Sequence, residues 1–229
     1  MPISTPVIKS KVKVKIKTNA KLFSLIVNKR NLMEITATMV KELREKSGAG
    51  IMECKQALKE NNGDIDGSIT SLRKKGLAKA DKKGGRAALE GAIGTYIHAG
   101  SKVGVMVKLH CETDFVANTQ DFKDLIKDIG MHIAASKPRF ISREQVTNEI
   151  LEKEKEIFAH QARESGKPER LIDKIVSGKM EKFYEENCLL DQAFVKDPEN
   201  SLRDIIKQKI AKLGENIIIG DFTRFEIGG

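Results

Sequence analysis

The sequence predicts an α+β protein, with a three-helix N-terminal domain over 34–76 and a core domain over 91–229. The core is expected to hold a small antiparallel sheet packed by helices. Three observations predict this. Apolar residues recur at helical spacing over 34–76. From Gly91 the apolar period changes to two and holds through Cys111. Helical spacing then returns, until Ile217-Ile218-Ile219 and the stretch Phe222 to Ile227 read as a final strand.

In chain order, residues 1–33 are a basic leader, expected to be disordered. They hold Lys9, Lys11, Lys13, Lys15, Lys17, Lys21, Lys29 and Arg30, with no acid. An organelle-targeting extension is one reading, but lysine rather than arginine supplies the charge. A flexible leader, or a start assigned upstream of Met33, is the favoured one. Ile35, Met39, Val40 and Leu43 then share a helical face, and Gly48-Ala49-Gly50 breaks the chain. Ile51, Cys54 and Leu58 stripe a second helix, which Asn61-Asn62-Gly63 ends. Asp64 is a fitting N-cap for a third, with Ile65, Ile69 and Leu72 inward and Gly76 as its stop. A basic connector over 77–90 carries Lys79, Lys82, Lys83 and Arg86 around Gly84-Gly85.

Ile93, Thr95 and Ile97 alternate on one strand; Val103, Val105, Val107, Leu109 and Cys111 alternate on the next, across a Gly100-Ser101-Lys102 turn. Thr119 then caps a helix striped by Phe122, Leu125, Ile126, Ile129 and Ile133. Between this strand and this helix lies Glu112-Thr113-Asp114-Phe115-Val116-Ala117-Asn118, a connection of the kind where function concentrates. Pattern alone leaves Phe115 two directions, into the core or out toward a partner. Further helices are expected over 149–164, from Pro168, beyond Gly178, and from Leu202 to a stop at Gly214.

Formal net charge is +9, which at first suggests a nucleic-acid partner. Removing the eight charges of residues 1–33 leaves +1 for 34–229, so the body offers little phosphate-binding surface. There is no tryptophan, which argues against stacking platforms for single strands. No apolar run reaches the about 18 residues of a membrane-spanning helix. Three widely spaced cysteines, Cys54, Cys111 and Cys188, form no disulfide framework and point to a reducing compartment. Phosphate-loop, dinucleotide and zinc-protease motifs are all missing. His110 and Cys111 are adjacent on a strand, so they face opposite ways and make a poor metal or nucleophile pair. No catalytic chemistry, cofactor or metal is expected.

Four segments in order resemble the elongation factor Ts family. They are Val40 to Leu58; Cys111-Glu112-Thr113-Asp114-Phe115-Val116-Ala117; Met131-His132-Ile133-Ala134-Ala135-Ser136; and Ile210 to Ile217 followed by Arg224-Phe225-Glu226. The resemblance covers 34–229 and implies that the 34–76 helices are a ubiquitin-associated-like (UBA-like) domain. It implies a translation factor that is no enzyme but a guanine-nucleotide exchange factor for elongation factor Tu. Thr113, Asp114, Phe115 and Val116 are implied partner-binding positions, of which Asp114 and Phe115 would enter the partner's nucleotide-binding domain. There they would disturb the magnesium and phosphate sites so that GDP leaves.

Further contact positions implied are Arg44, Ile51, Met52 and Lys55 in the small domain, and Val103, Gly104 and His132 in the core. Each has a plainer reading. Ile51 and Met52 could be bundle core, though one helix cannot turn both inward; Arg44 and Lys55 could be solvated charges. Val103 alternates with core residues, and His132 borders the Ile129/Ile133 stripe. Only one strand–strand–helix set is visible, which resembles the short form of the family. That implies a homodimer and a 2:2 complex. The cysteine some short members carry at the position of Thr223 is absent, so no intersubunit disulfide is expected there. Localisation would be the bacterial cytoplasm, or an organelle matrix or stroma if 1–33 is a transit peptide. Direct nucleic-acid and membrane contact are not expected. The competing classes are an RNA- or ribosome-binding module using leader and connector, and a ubiquitin-type adaptor.

Overall fold

The computed structural model describes residues 34–228, so the reading of 1–33 lies outside the described residues. The chain divides into two compact units, which meet at Lys74 and Lys75. The first holds α1 (Ala37–Ser47), α2 (Ile51–Glu60) and the start of α3 (Ile65–Lys83). Thr36 caps α1, its hydroxyl accepting the Met39 N–H, and Gly48 closes it with a left-handed φ of 66°. Leu43, Cys54, Ala57 and Leu58 form a sealed centre, with Ile35, Met39, Val40, Ile65, Ile69 and Leu72 around it. These are the apolar stripes of the sequence, brought together.

The third helix does not stop at Gly76 but runs on to Lys83, through half of the expected connector. Leu77, Ala78 and Ala80 favour helix, and Ala80 is buried in the core of the second unit. Gly76 has a packing reason: a Cβ there would lie 3.2 Å from the Ala211 Cβ. The glycine marks a close approach of two helices rather than an end.

The second unit is built on β1 (Glu90–Ile97), β2 (Val103–Cys111) and β5 (Ile218–Glu226), antiparallel in the order β1-β2-β5. Lys108 pairs with Asp221 and Leu109 with Ile219, which leaves Gly220 as the extra residue of a bulge. The helix α5 (Gln120–Ser136) covers the inner face, where Val105, Val107, Leu109 and Cys111 meet Phe122, Leu125, Ile129 and Ile133. The helix comes so near β1 that a Cβ on Gly94 would sit 1.8 Å from the Ile126 Cγ2. The inward residues of β1 are therefore Ala92, Gly94 and Tyr96. Ile93 and Ile97, the apolar phase of that strand, stand exposed on the outer face.

Beyond α5 come α6 (Asn148–Glu164) and α7 (Glu169–Asn187), a helical hairpin with its own cluster of Val146, Met180, Phe183 and Cys188. Gly178 does not divide α7; a Cβ there would meet open space, so it neither strains nor stops the helix. A small hairpin of β3 (Ala193–Phe194) and β4 (Asp197–Ser201) follows. It leads to α8 (Leu202–Leu213), capped by Ser201 and closed by Gly214.

Candidate functional site

The connection between β2 and α5 is itself one helical turn, α4 (Asp114–Ala117). Thr113 starts it, its hydroxyl accepting the Val116 N–H at 3.4 Å. Thr119 ends it, donating to the Val116 carbonyl at 2.7 Å, and then caps α5 by accepting the Phe122 N–H. Two caps six residues apart in number leave room for a single turn. A helix rotates about 100° per residue, so consecutive pairs on α4 face opposite ways. Val116 and Ala117 are 5% and 7% exposed and join the core, while Phe115 is 79% exposed. Asp114 is exposed beside it, and among the described residues its carboxylate has no hydrogen-bond or ion-pair partner.

The base of the turn is tied to the far end of the chain. The Glu215 Oε2 accepts the Glu112 and Thr113 N–H groups at 3.2 and 3.0 Å. Its Oε1 accepts the Thr113 hydroxyl at 2.6 Å. In return the Glu112 Oε1 accepts the Asn216 N–H at 2.7 Å. The Asn216 amide donates to the Arg86 carbonyl at 2.8 Å and to the Gly84 carbonyl at 3.4 Å. The Cys111 thiol donates to the Thr113 carbonyl at 3.1 Å. Burial, and then the nearby Glu215 charge, raises the pKa of that thiol and keeps it a donor.

The remaining positions are scattered. Arg44, Ile51, Met52 and Lys55 are all exposed on the first unit, so neither Ile51 nor Met52 is bundle core. Val103 and Gly104 are half-buried at the start of β2, and Asp114 follows its end. Nine residues of strand at ~3.3 Å each put the two ends roughly 30 Å apart. Asp114 and Phe115 therefore do not share one patch with Val103 and Gly104. His132 is fully buried. Its Nδ1 accepts the Val195 N–H at 3.3 Å, and its Nε2, which then carries the proton, donates to the Gln192 Oε1 at 3.0 Å. Burial lowers its pKa, so the ring is held neutral. As placed, it can serve a partner only through the segment it supports.

Two features escaped the sequence reading. The brace from Glu215 and Asn216 joins residues more than a hundred positions apart, beyond any local pattern. The outer sheet face is also new: Ile93, Ile97, Met106, Ile218 and Phe225 are all exposed there. Its signal was available, since apolar residues occupy the outward phase of both edge strands. The basic connector, by contrast, is partly consumed within the unit: Lys83 donates to the Gly214 carbonyl, and Arg86 pairs with Glu112 at 3.5 Å.

The family model described as elongation factor TS matches residues 18–229. An elongation factor Ts of Syntrophomonas wolfei is 57% identical over 194 residues, covering 85% of this chain and 91% of that protein. One of Geobacter sulfurreducens is 54% identical over 196 residues, covering 86% and 91%. One of Fervidobacterium nodosum is 56% identical over 196 residues, covering 86% and 100%. The class is that of the translation elongation factors. Within that class, the chain belongs to the elongation factor Ts family.

Proposed function

We propose that this chain is a guanine-nucleotide exchange factor that binds elongation factor Tu carrying GDP and speeds GDP release. The observation that carries the reading is Phe115. A large ring is held out in water on a capped turn whose Val116 and Ala117 are core. A singly exposed apolar side chain is common; this one supports the reading because it projects from a capped turn at the position where the resemblance implies a partner contact. In the proposed mechanism Asp114 and Phe115 enter the nucleotide-binding domain of elongation factor Tu and wedge between its helices. Thr113 and Val116 anchor them. The magnesium and phosphate sites of the partner are disturbed, and GDP leaves. Factor and nucleotide then weaken each other by one reciprocal coupling free energy. The chain does no covalent chemistry and needs no cofactor.

The 34–76 helices are read as a UBA-like module that docks on the partner through Arg44, Ile51, Met52 and Lys55. Val103 and Gly104 are a separate contact, and His132 contributes from beneath the surface. Working in the bacterial cytoplasm, the factor forms a homodimer and a 2:2 complex, without nucleic-acid or membrane contact. The exposed apolar face of the sheet supports the homodimer, because a second copy would cover it. The test is direct: load elongation factor Tu with a fluorescent GDP, chase with unlabelled GDP, and add this chain. Release should accelerate in proportion to the chain at low concentration. Release at the spontaneous rate throughout the titration would reject the reading.

A further inference from the structure

We infer that Glu215 is a positioning residue for exchange, the group that fixes the direction in which Asp114 and Phe115 project. The inference rests on the exchange reading and adds to it a residue that touches neither the nucleotide nor the projecting side chains.

The geometry carries it. A one-turn helix has no ladder of its own to resist rotation. Its main-chain bonds are few: the Ala117 N–H to the Thr113 carbonyl at 3.2 Å, the Asn118 N–H to the Asp114 carbonyl at 3.0 Å and the Thr119 N–H to the Val116 carbonyl at 3.0 Å. Isolated helices of this length do not hold. The turn must be held from outside, and the Glu215 carboxylate holds it at the leading residue, taking three donors from Glu112 and Thr113. Hydrogen bonds to an ionised carboxylate are the stronger kind, and three on one group fix an orientation as well as a position. The Thr113 hydroxyl is thereby turned so that its proton points at Glu215 and a lone pair meets the Val116 N–H. The cap that starts α4 is thus set by Glu215.

Glu215 is fixed in turn. It follows Gly214, whose φ of 84° closes α8, and precedes Asn216, which is buried and tied to Gly84, Arg86 and Glu112. The carboxylate of each segment accepts the main-chain N–H of the other. The turn cannot swing without breaking both halves of this exchange. The reach from helix end to projecting ring is a rigid path of four residues, Glu215 to Thr113 to Asp114 to Phe115.

The test is a cycle of Glu215→Ala, Phe115→Ala and the double variant, in GDP release from elongation factor Tu at saturating factor. Glu215→Ala should cut the maximal rate roughly ten- to a hundredfold, as misplacements of about 1 Å do, and leave the half-saturating concentration near its wild-type value. Amide exchange at Thr113 and Val116 should rise while the rest of the protein stays protected. The loss in the double variant should be smaller than the product of the two single losses, because the two residues act through one element. Glu215→Gln keeps an acceptor for the two N–H groups and should fall between wild type and Glu215→Ala; it also serves if the alanine variant folds poorly. A wild-type maximal rate in folded Glu215→Ala, beside a slow Phe115→Ala, would overturn the positioning role and leave the wedge intact. Multiplied losses in the double variant, or a loss confined to half-saturation, would also overturn it. A fast Phe115→Ala would instead sink the exchange reading on which the inference stands.

Discussion

Truncating Phe115 to alanine separates function from folding. The side chain is 79% exposed, so the free protein loses almost no burial. Surface changes of this kind alter stability by about 0.5 kcal/mol or less. In a complex that buries the ring, 79% of roughly 200 Å² of phenylalanine surface leaves water. At ~25 cal/mol per Å² that is about 4 kcal/mol as an upper bound, while phenylalanine burial more commonly contributes ~1.5–3 kcal/mol. With ~1.4 kcal/mol per factor of ten, the range of about 2–4 kcal/mol corresponds to roughly thirty- to a thousandfold. Stopped-flow release of labelled GDP from elongation factor Tu would read it, with urea unfolding alongside. Val116→Ala is the opposite control. Val116 lies in the core one residue away, so its loss should cost about 1–3 kcal/mol of stability. If Phe115→Ala releases GDP at the wild-type rate while remaining as stable, the ring is not buried in the productive complex. The argument from exposure would then be wrong.

Two further outcomes follow from the structure. His132 is buried neutral with a lowered pKa, so between its native and unfolded values the unfolded chain binds a proton that the native ring refuses. Its contribution is complete above the unfolded value of ~6.5 and is lost as pH falls below it, with a slope of at most about 1.4 kcal/mol per pH unit. Urea unfolding between pH 7 and pH 5 should show this slope, and His132→Leu should flatten it; equal slopes would count against the neutral-ring geometry. On the outer sheet face, Ile97→Glu with Met106→Glu should convert a dimer to monomer by sedimentation while leaving the fold intact, since both side chains are exposed in one chain. An unchanged sedimentation coefficient would count against the proposed dimer through this face.

Much of the fold was legible because its signals are local. The stripes of α1, α2, α5 and α8 and the alternation of β2 each depend on neighbours within a few residues. The place of Asp114 and Phe115 between strand and helix followed from the change of period. Its form did not, because a turn of four residues is too short to show a repeat. Gly76 and Gly178 read as stops but lie inside helices. At one the reason is a helix passing close by, at the other the absence of any neighbour. Both depend on distant chain. β1 misled differently: Ile93 and Ile97 face outward, while the inward phase holds Gly94, which α5 approaches too closely for a side chain, and Tyr96, for which Gly130 of α5 makes room. The direction of Phe115 came from family resemblance; the ring's exposure agrees with it. Glu215 stood inside a quoted motif, but nothing in its surroundings in sequence names Thr113 as its partner.

The pairing of Glu112 and Thr113 with Glu215 and Asn216 also has a consequence for synthesis. The far side of that pairing, Glu215 and Asn216, and the strand β5 that completes the sheet lie over 215–226, more than a hundred residues beyond Thr113. During translation the central strand β2 waits with one edge open, and α4 waits without its anchor, until residues 215–226 have emerged. Contacts of such long sequence separation form late, since their loop-closure entropy must be met first. A prematurely terminated product would carry the Asp114-Phe115 sequence but no means of aiming it. The aim of the turn therefore depends on chain more than a hundred residues downstream of it.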